Sequence, residues 1–368
     1  MADHRRKSIK ALMLTRYTYE GASSRYRMFQ FIPYLDKSGF ECVVFPFFQA
    51  GYTKLRFANR KALVLRTVED YWRRFRRLKC DDDIDVIFLE KEFFPYINFG
   101  NCSMNITKKI HYVCDYDDAW FHAYDNHRSR IVRWLFHDKI AKVMAGAYAV
   151  IAGSEYLYDY ACRFNRNVHL VPTAIDLDLY PDMPPPRRTG NPFLIGWIGS
   201  YSSISFLKIV EPVLEEFCMN HDARVVVIGD SKGTLNLRYV NCIPWTESTE
   251  VESLSEIDVG IMPLSDTPQS RGKCAFKLIQ YMGCWKPVIA SPVGENVRVV
   301  QDGISGVLAA TPEDWWNALC RLYDDHALRD SMGIAGRAIV EKSYSLSVVA
   351  PRVEAILRSA CSAVRGDV

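Results

Sequence analysis

The chain has 368 residues, a length that suits two domains of ordinary size. Its 49% hydrophobic and 24% charged residues are typical of a folded protein and exclude disordered, collagen-like and coiled-coil classes. No apolar run approaches the roughly 20 residues that span a bilayer, and the basic start is not followed by an apolar block, so we expect a cytoplasmic protein. The 11 cysteines form no Cys-x-x-Cys pair, which favours reduced thiols over disulfides or a zinc site.

The charge is unevenly distributed although the net charge is only +3. Residues 1–180 carry 28 Lys and Arg against 21 Asp and Glu, whereas residues 181–368 carry 18 against 22. We therefore expect the first half to face a more anionic partner than the second half does, and an imbalance this small does not require a nucleic acid.

The first half alternates short apolar runs with longer helical patterns, of which 24–37 and 128–145 are amphipathic. Nearly all-apolar strands separated by helices indicate a parallel sheet covered on both faces. The predicted strands are Ile9–Thr15, Phe40–Phe45, Asp85–Leu89, Ile110–Cys114, Tyr148–Ala152 and Val168–Val171.

Five prolines in residues 181–192 predict a linker, after which the same alternation begins again. We expect two Rossmann-like domains, 1–183 and 184–342, and a helical tail, 343–368. The predicted elements of the second half are strands Leu194–Ile198, Arg224–Ile228, Asp258–Met262 and Pro287–Ala290, helices Ile204–Met219 and Ala275–Met282, and consecutive helices over Glu313–Arg358.

Parallel sheets bind ligands beyond the carboxyl ends of their strands, so the loops that follow strands are the candidate sites. In the first half, Asp117, Asp118 and His122 follow a strand and could orient or deprotonate a hydroxyl, or else cap and pack the next helix. Ser24, Arg25 and Arg27 follow the first strand and either reach a phosphate or lie on a helix surface.

Three loops of the second half suit an anionic ligand. Gly199 and Ser200 form a turn that allows close approach of a phosphate, although a plain helix cap explains them equally well. The cations Arg271, Lys273 and Lys277 oppose the dipole of the helix they open, which a bound diphosphate would offset; the alternative is a solvated basic loop. The third loop contains Gly294, Glu295 and Asn296, and Trp245 either stacks on a base or packs in the core.

Residues 68–79 have the pattern of a basic amphipathic helix. Val68, Tyr71, Trp72, Phe75 and Leu78 share one arc, and Arg73, Arg74, Arg76, Arg77 and Lys79 fill the other. Such a helix either contacts an anionic membrane surface or packs on the sheet with a solvated basic face. Membrane contact would make the protein peripheral on the inner face of the membrane and would favour a lipid-linked acceptor.

The stretch from Arg271 to Gly294 resembles the donor-site segment of glycosyltransferase family 4, whose members have the GT-B fold, and Gln301–Gly306 is similar to the Asp-Gly-x-x-Gly turn of that family. Residues 22–35 and 115–119 are similar to a bacterial polysaccharide-type subgroup. The resemblance implies an α/β protein in which two Rossmann-like domains face each other across a cleft, with the acceptor bound by the N-terminal domain, the donor by the C-terminal domain, and the last helix crossing back.

The same resemblance implies transfer of a sugar from a nucleotide diphosphate sugar to a glycan or lipid-linked acceptor, without a metal or other cofactor and with retention of configuration. It also implies a role in cell-surface polysaccharide synthesis. The sequence departs from the family where acidic residues are common, since those positions hold Gly272, Gln280 and Arg298. The Gln280 amide could still bind a ribose hydroxyl. The departures leave two alternatives open: a non-catalytic scaffold that binds a nucleotide sugar or a partner, and a nucleotide-sugar epimerase.

Overall fold

The computed structural model describes residues 8–52, 60–79, 83–97, 110–186, 192–229, 235 and 237–365. The chain forms two units: Met1–Thr173 together with Val349–Val368, and Ala174–Val348. Each unit contains a six-stranded sheet in which every strand pair is parallel. The predicted pair of Rossmann-like α/β domains is therefore confirmed.

The sheet of the N-terminal unit has the strand order β2-β1-β3-β4-β5-β6. Its three strands β3, β4 and β5 are buried at every position, as expected of a sheet covered on both faces. The six strands are β1 (Ile9–Leu14), β2 (Phe40–Val44), β3 (Val86–Glu90), β4 (Tyr112–Tyr116), β5 (Ala149–Ala152) and β6 (Val168–Leu170).

The helices of this unit are shorter than the amphipathic patterns predict. The stretch 24–37 is divided into two helices and a 3₁₀ turn at Phe29–Phe31, because Pro33 has no N–H and opens the second helix. The stretch 128–145 is divided into two helices by a break around His137. The helices are α1 (Ala22–Arg27), α2 (Ile32–Lys37), α3 (Arg60–Lys79), α4 (His122–Asp125), α5 (Arg130–Phe136), α6 (Lys139–Gly146) and α7 (Glu155–Cys162).

The sheet of the C-terminal unit has the strand order β12-β11-β10-β7-β8-β9. The pattern of apolar runs missed β12, which has three residues and begins with glycine, and gave no bounds for β9, whose middle residues are exposed. The strands are β7 (Phe193–Ile198), β8 (Ala223–Ile228), β9 (Val240–Ile243), β10 (Val259–Met262), β11 (Val288–Ala290) and β12 (Gly306–Leu308).

Helices cover both faces of this second sheet. One face packs Trp197, Phe217 and Trp315, and the other packs Leu278 and Tyr281. The predicted helix 204–219 begins as a 3₁₀ helix, Tyr201–Ile209, and the tail forms consecutive helices as predicted. The helices are α8 (Glu211–Asn220), α9 (Glu250–Glu256), α10 (Pro268–Arg271), α11 (Phe276–Gly283), α12 (Asn296–Val299), α13 (Pro312–Asp324), α14 (His326–Ser343) and α15 (Leu346–Arg365).

The units divide at 173/174 and 348/349, rather than at the predicted 183/184 and 342/343. The start of the predicted linker belongs to the C-terminal unit because the carbonyl of Pro181 accepts hydrogen bonds from Trp285 Nε1 (2.8 Å) and Arg337 Nη1 (2.9 Å). Residues 187–191 of that linker lie outside the described residues. The chain returns to the N-terminal unit within α15, where the carbonyl of Ala360 lies 3.2 Å from His111 Nδ1.

None of the helices in the described part of the chain combines the length and the apolar character needed to cross a bilayer.

Candidate active site

The candidate donor residues of the C-terminal unit follow four different strands. Because the strands are parallel, their carboxyl ends lie at the same edge of the sheet, and the loops after β7, β8, β9, β10 and β11 therefore all lie at that edge. The structure thus brings the three predicted loops and the Trp245 segment to one edge of the sheet.

Two glycines bring the backbone after β7 and β8 into direct contact. Gly229 has φ +134°, and a Cβ atom built on it would lie 1.9 Å from the carbonyl oxygen of Gly199. A Cβ atom on Gly199 would lie 2.5 Å from the Trp197 ring. No side chain fits at either position without displacing its neighbours, so the two turns expose bare backbone at this edge. Ser200 follows as the N-cap of the 3₁₀ helix, without a capping bond from its side chain.

Lys273 and Lys277 form a cationic pair at the start of α11. The ammonium of Lys277 lies 4.0 Å from the centroid of the buried Trp197 ring, and that of Lys273 lies 5.5 Å from the centroid of Phe206. Neither lysine has an ion-pair partner among the described residues. Burial, and secondly the charge of Lys273, lowers the pKa of Lys277 to about 7. Two half-buried cations without carboxylates are suited to bind an anion.

The loop that carries this pair holds a strained residue. Ala275, which is fully buried, caps α11 with φ +51°, in the left-handed region that non-glycine residues seldom occupy. Such a conformation costs about 1–3 kcal/mol and is concentrated at functional sites.

Arg271, the third predicted cation, is placed differently from the two lysines. Its guanidinium is exposed and makes a bidentate ion pair with Asp266, at 2.6 and 2.8 Å. The hydrogen bond from Arg271 lowers the pKa of Asp266. The charge of Arg271 is therefore locally balanced, whereas no described carboxylate balances the charges of Lys273 and Lys277.

Gln280 and Trp245 meet at a buried carboxylate that the sequence did not identify. Glu250, the first residue of α9, accepts a hydrogen bond from Gln280 Nε2 at 2.8 Å and another from the indole Nε1 of Trp245 at 2.5 Å. Gln280 and Glu250 are buried, but the Trp245 side chain is 36% exposed, so the core alternative for this tryptophan is wrong. The sequence signal for Glu250 was weak, since it looks like any acidic residue at a helix start.

The loop after β11 packs against the end of α10. Gly294 has φ +57°, and a Cβ atom there would lie 2.6 Å from the carbonyl oxygen of Arg271. Asn296 is buried and donates from Nδ2 to the carbonyl of Ser291 at 3.0 Å, which closes the loop, and the buried Glu295 lies 3.6 Å from Arg298.

In the N-terminal unit, the candidate catalytic residues already have partners. Asp117 accepts a hydrogen bond from Ser23 Oγ at 2.5 Å and pairs with Lys91 at 3.0 Å; although burial opposes ionisation, Lys91 keeps the pKa of Asp117 below its usual value. His122 lies 2.9 Å from Asp125 and 2.8 Å from the hydroxyl of Tyr156 through its two ring nitrogens. Asp118 accepts from the backbone N–H of Ala119. These contacts favour the packing alternative for His122 and leave Asp117 as an ionised, oriented carboxylate.

The residues after β1 are buried rather than on a helix surface. Arg27, 1% exposed, makes a bidentate ion pair with Asp115 at 2.5 and 2.9 Å and donates to the carbonyl of Val171. Ser24 donates to Glu90 at 2.6 Å. The guanidinium of Arg25 lies over the rings of Tyr19 and Tyr26. The alternative that these residues lie on a helix surface is therefore wrong, since Ser24, Arg25 and Arg27 are all buried. The contacts of Arg27 place its side chain in the interior of the unit.

A buried charged cluster that sequence reasoning missed lies at the carboxyl end of β3. Glu92 pairs with Lys139 at 2.6 Å and with Arg16 at 2.8 Å, and it accepts a hydrogen bond from Trp120 at 2.9 Å. Although burial opposes ionisation, Lys139 and Arg16 hold the pKa of Glu92 below its usual value. The run Glu90-Lys91-Glu92 directly after an apolar strand was the available signal.

The faces of α3 differ from the predicted ones. Arg74 is fully buried and donates to the carbonyls of Thr15 and Phe45 at the ends of two strands, so it does not belong to a solvated basic face. The side chains of Val68 and Trp72 are instead 63% and 61% exposed. They share the solvent-facing surface with Arg76 and Lys79.

Two comparisons find similar sequences among known proteins. Residues 193–325 match the family model "Glycosyl transferases group 1". A segment of 78 residues is 38% identical to D-inositol 3-phosphate glycosyltransferase of Paenarthrobacter aurescens, a match that spans 21% of this chain and 18% of that protein.

Three solved structures share the fold over nearly the whole chain. Sucrose-phosphate synthase of Thermosynechococcus elongatus has a TM-score of 0.72 at 16% identity, covering 96% of this chain and 100% of that one. HepE of Anabaena, solved with UDP-glucose, has a TM-score of 0.68 at 16% identity, and the match covers 95% of this chain and 100% of HepE. WaaG, a glycosyltransferase of lipopolysaccharide biosynthesis, has a TM-score of 0.66 at 13% identity, and the match covers 95% of this chain and 99% of WaaG.

Two Rossmann-like units with a charged strand edge define a protein of the GT-B class. The fold of the whole chain is that of the GT-B glycosyltransferase structures, and residues 193–325 of the C-terminal unit match the group 1 glycosyltransferase model. The fold predicted from the sequence is thereby confirmed, and the resemblance of the donor-site segment agrees with the family match.

Proposed function

We propose that this protein transfers a sugar from a nucleoside diphosphate sugar to a glycan or lipid-linked acceptor. The observation that carries the proposal is the pair Lys273 and Lys277, two half-buried cations that have no carboxylate partner among the described residues, at the strand edge that also bears the Gly199–Gly229 backbone contact. A diphosphate is the anion whose charge and size suit that edge.

The chemistry follows from the charge that develops when the glycosyl–phosphate bond breaks. Negative charge accumulates on the leaving diphosphate, and ammonium groups already in place stabilise it without reorganisation. We expect the greater effect from Lys277, because its ammonium lies 4.0 Å from the centroid of the fully buried Trp197 ring. We propose that these lysines supply the positive charge of the donor site, so that transfer proceeds without a metal ion. We also propose retention of configuration, which the resemblance to family 4 implies.

Two relatives support a nucleotide donor and an envelope acceptor. HepE was solved with UDP-glucose, and WaaG acts in lipopolysaccharide biosynthesis. We extend the same chemical classes to this chain, with Asp117 orienting the acceptor hydroxyl as a carboxylate and with synthesis of a cell-surface polysaccharide as the pathway.

The exposed face of α3 supports contact with the inner membrane surface. Val68 and Trp72 can enter the headgroup region while Arg76 and Lys79 lie beside anionic lipids. On α5, Ile131 and Trp134 are 68% and 77% exposed and form a second apolar surface of the same unit. Sedimentation with vesicles containing an anionic phospholipid is expected to bring down the wild type and less of a Trp72→Ser variant; equal recovery of both would remove α3 from the proposal.

The function is tested by incubating the protein with UDP-, GDP- and dTDP-sugars and an extract of lipid-linked glycans. We expect release of one nucleoside diphosphate that depends on the extract, that persists in excess EDTA, and that yields a product with the anomeric configuration of the donor. Binding of the donor without any turnover would instead indicate the scaffold alternative, and conversion of the sugar without an acceptor would indicate the epimerase. If no nucleotide sugar binds, the proposal is wrong.

A further inference from the structure

Glu250 is a buried carboxylate that lies between two candidate donor residues. One of its oxygens accepts the indole N–H of Trp245 at 2.5 Å, and the other accepts the carboxamide of Gln280 at 2.8 Å. The side chains come from three different segments: the loop after β9, the first turn of α9, and α11. Glu250 is only 6% exposed, so any effect it has on a bound substrate passes through its two neighbours rather than through direct contact.

The carboxylate determines how both neighbours are oriented. Both oxygens of Glu250 accept a hydrogen bond, so Gln280 turns its NH₂ group toward Glu250 and keeps its carbonyl oxygen for another donor, such as a hydroxyl. The bond to Nε1 likewise fixes the plane of the Trp245 ring, which is 36% exposed and therefore has surface available for stacking.

This group of three residues lies next to the cationic pair. Gln280 and Lys277 are three residues apart on α11, and residues at that spacing are neighbours on one face of a helix. A ligand whose diphosphate contacts Lys277 therefore extends naturally to Gln280 with the group attached to the diphosphate.

We propose that Glu250 is a positioning residue of the nucleoside subsite, which holds the Trp245 ring for the base and the Gln280 carbonyl for a hydroxyl. The inference rests on the proposed function and adds to it a residue that acts through its two neighbours.

The test exchanges the carboxylate of Glu250 and the amide of Gln280, first one at a time and then together. Affinities for UDP, GDP, dTDP and inorganic pyrophosphate are measured by calorimetry for the wild type, Glu250→Gln, Gln280→Glu and the double variant, with Glu252→Gln on the exposed side of α9 as the matched control. Thermal unfolding of each variant is recorded in parallel.

Glu250→Gln keeps only one acceptor for two donors and should weaken the preferred nucleoside diphosphate about tenfold, while pyrophosphate changes by less than about twofold. Gln280→Glu places two carboxylates in contact, so its nucleotide affinity should fall and should recover as the pH is lowered and one of them takes a proton. The double variant restores one carboxylate and one amide, and it should return to within about threefold of the wild type at all pH values.

The inference is overturned if the single variants unfold at lower temperature but bind nucleotide with wild-type affinity and no dependence on pH, because that pattern describes a purely structural contact. It is also overturned if the double variant stays as weak as the single ones. Should the wild type bind neither pyrophosphate nor any of the three nucleotides, the proposed function itself is wrong, and the inference falls with it.

Discussion

Lys277 is the residue at which burial and function oppose each other most directly. Its pKa is lowered to about 7, first by burial and then by Lys273, so the folded protein binds fewer protons there than the unfolded chain does between about pH 7 and the ordinary lysine value near 10.5. The unfolding free energy should therefore rise with pH in that window. The cost of burying the charge is fully present below pH 7 and declines to zero as the pH approaches the ordinary lysine value. In Lys277→Met this rise should be absent, as measured by urea unfolding from pH 6 to 9 against the exposed control Lys208→Met. Parallel curves for the wild type and Lys277→Met would contradict this account of the site.

Arg27 shows why a residue type alone did not reveal a role. Its sequence position after the first strand suggested a phosphate ligand, but the side chain lies in the interior with Asp115. Arg27→Met leaves a buried carboxylate unpaired and should cost about 3–5 kcal/mol of unfolding free energy.

Burial raises the pKa of Asp115 while Arg27 opposes that rise, so without Arg27 the carboxyl takes up a proton more readily, and the loss should be smaller at pH 5 than at pH 8. Chemical unfolding at the two pH values checks this, with Arg76→Met on the exposed face of α3 as the control. A loss that does not depend on pH would show that the ion pair is not the cause.

At the scale of elements, the contact between the turns after β7 and β8 depends on Gly229. Gly229→Ala forces a methyl group into the carbonyl of Gly199 and should both destabilise the protein and weaken binding of a nucleoside diphosphate at that edge. Gly303→Ala is the matched control, because Gly303 also has positive φ, +74°, but has open space where its Cβ would lie. Gly303→Ala should lower the unfolding free energy by only about 1 kcal/mol, from backbone strain, and should leave the affinity for the nucleoside diphosphate unchanged. Equal effects of the two substitutions on nucleotide affinity would show that the Gly199–Gly229 contact does not contribute to binding.

The strands were predictable from sequence because each is a short apolar run between helical patterns, and ten of them were placed within two residues at either end. What the pattern missed was short or exposed: β12 has three residues, and β9 lies at the edge of its sheet. The breaks within the helical stretches 24–37 and 128–145 were also missed, since amphipathic periodicity continues across a turn that keeps the same face buried.

For the whole molecule, sequence reasoning identified the loops of the candidate site better than it identified their chemistry. The loops follow from parallel strands, whose carboxyl ends meet at one edge. The chemistry of each loop cation depends instead on whether it pairs with a carboxylate. Arg271 pairs with Asp266, and this contact distinguishes it from Lys273 and Lys277. Glu250 lies only five residues after Trp245, but it is 30 residues from Gln280, and no local sequence pattern predicts that all three side chains meet.

The claim on which the account rests is that Lys273 and Lys277 bind a diphosphate. Calorimetric titration of the wild type and of the Lys273→Met/Lys277→Met double variant with UDP, GDP and dTDP tests it most directly. We predict that the wild type binds at least one of these nucleotides and that the double variant, while folded by circular dichroism, binds it at least about 100-fold more weakly, since two charge-assisted contacts are lost. Equal affinity of the two proteins would contradict the account.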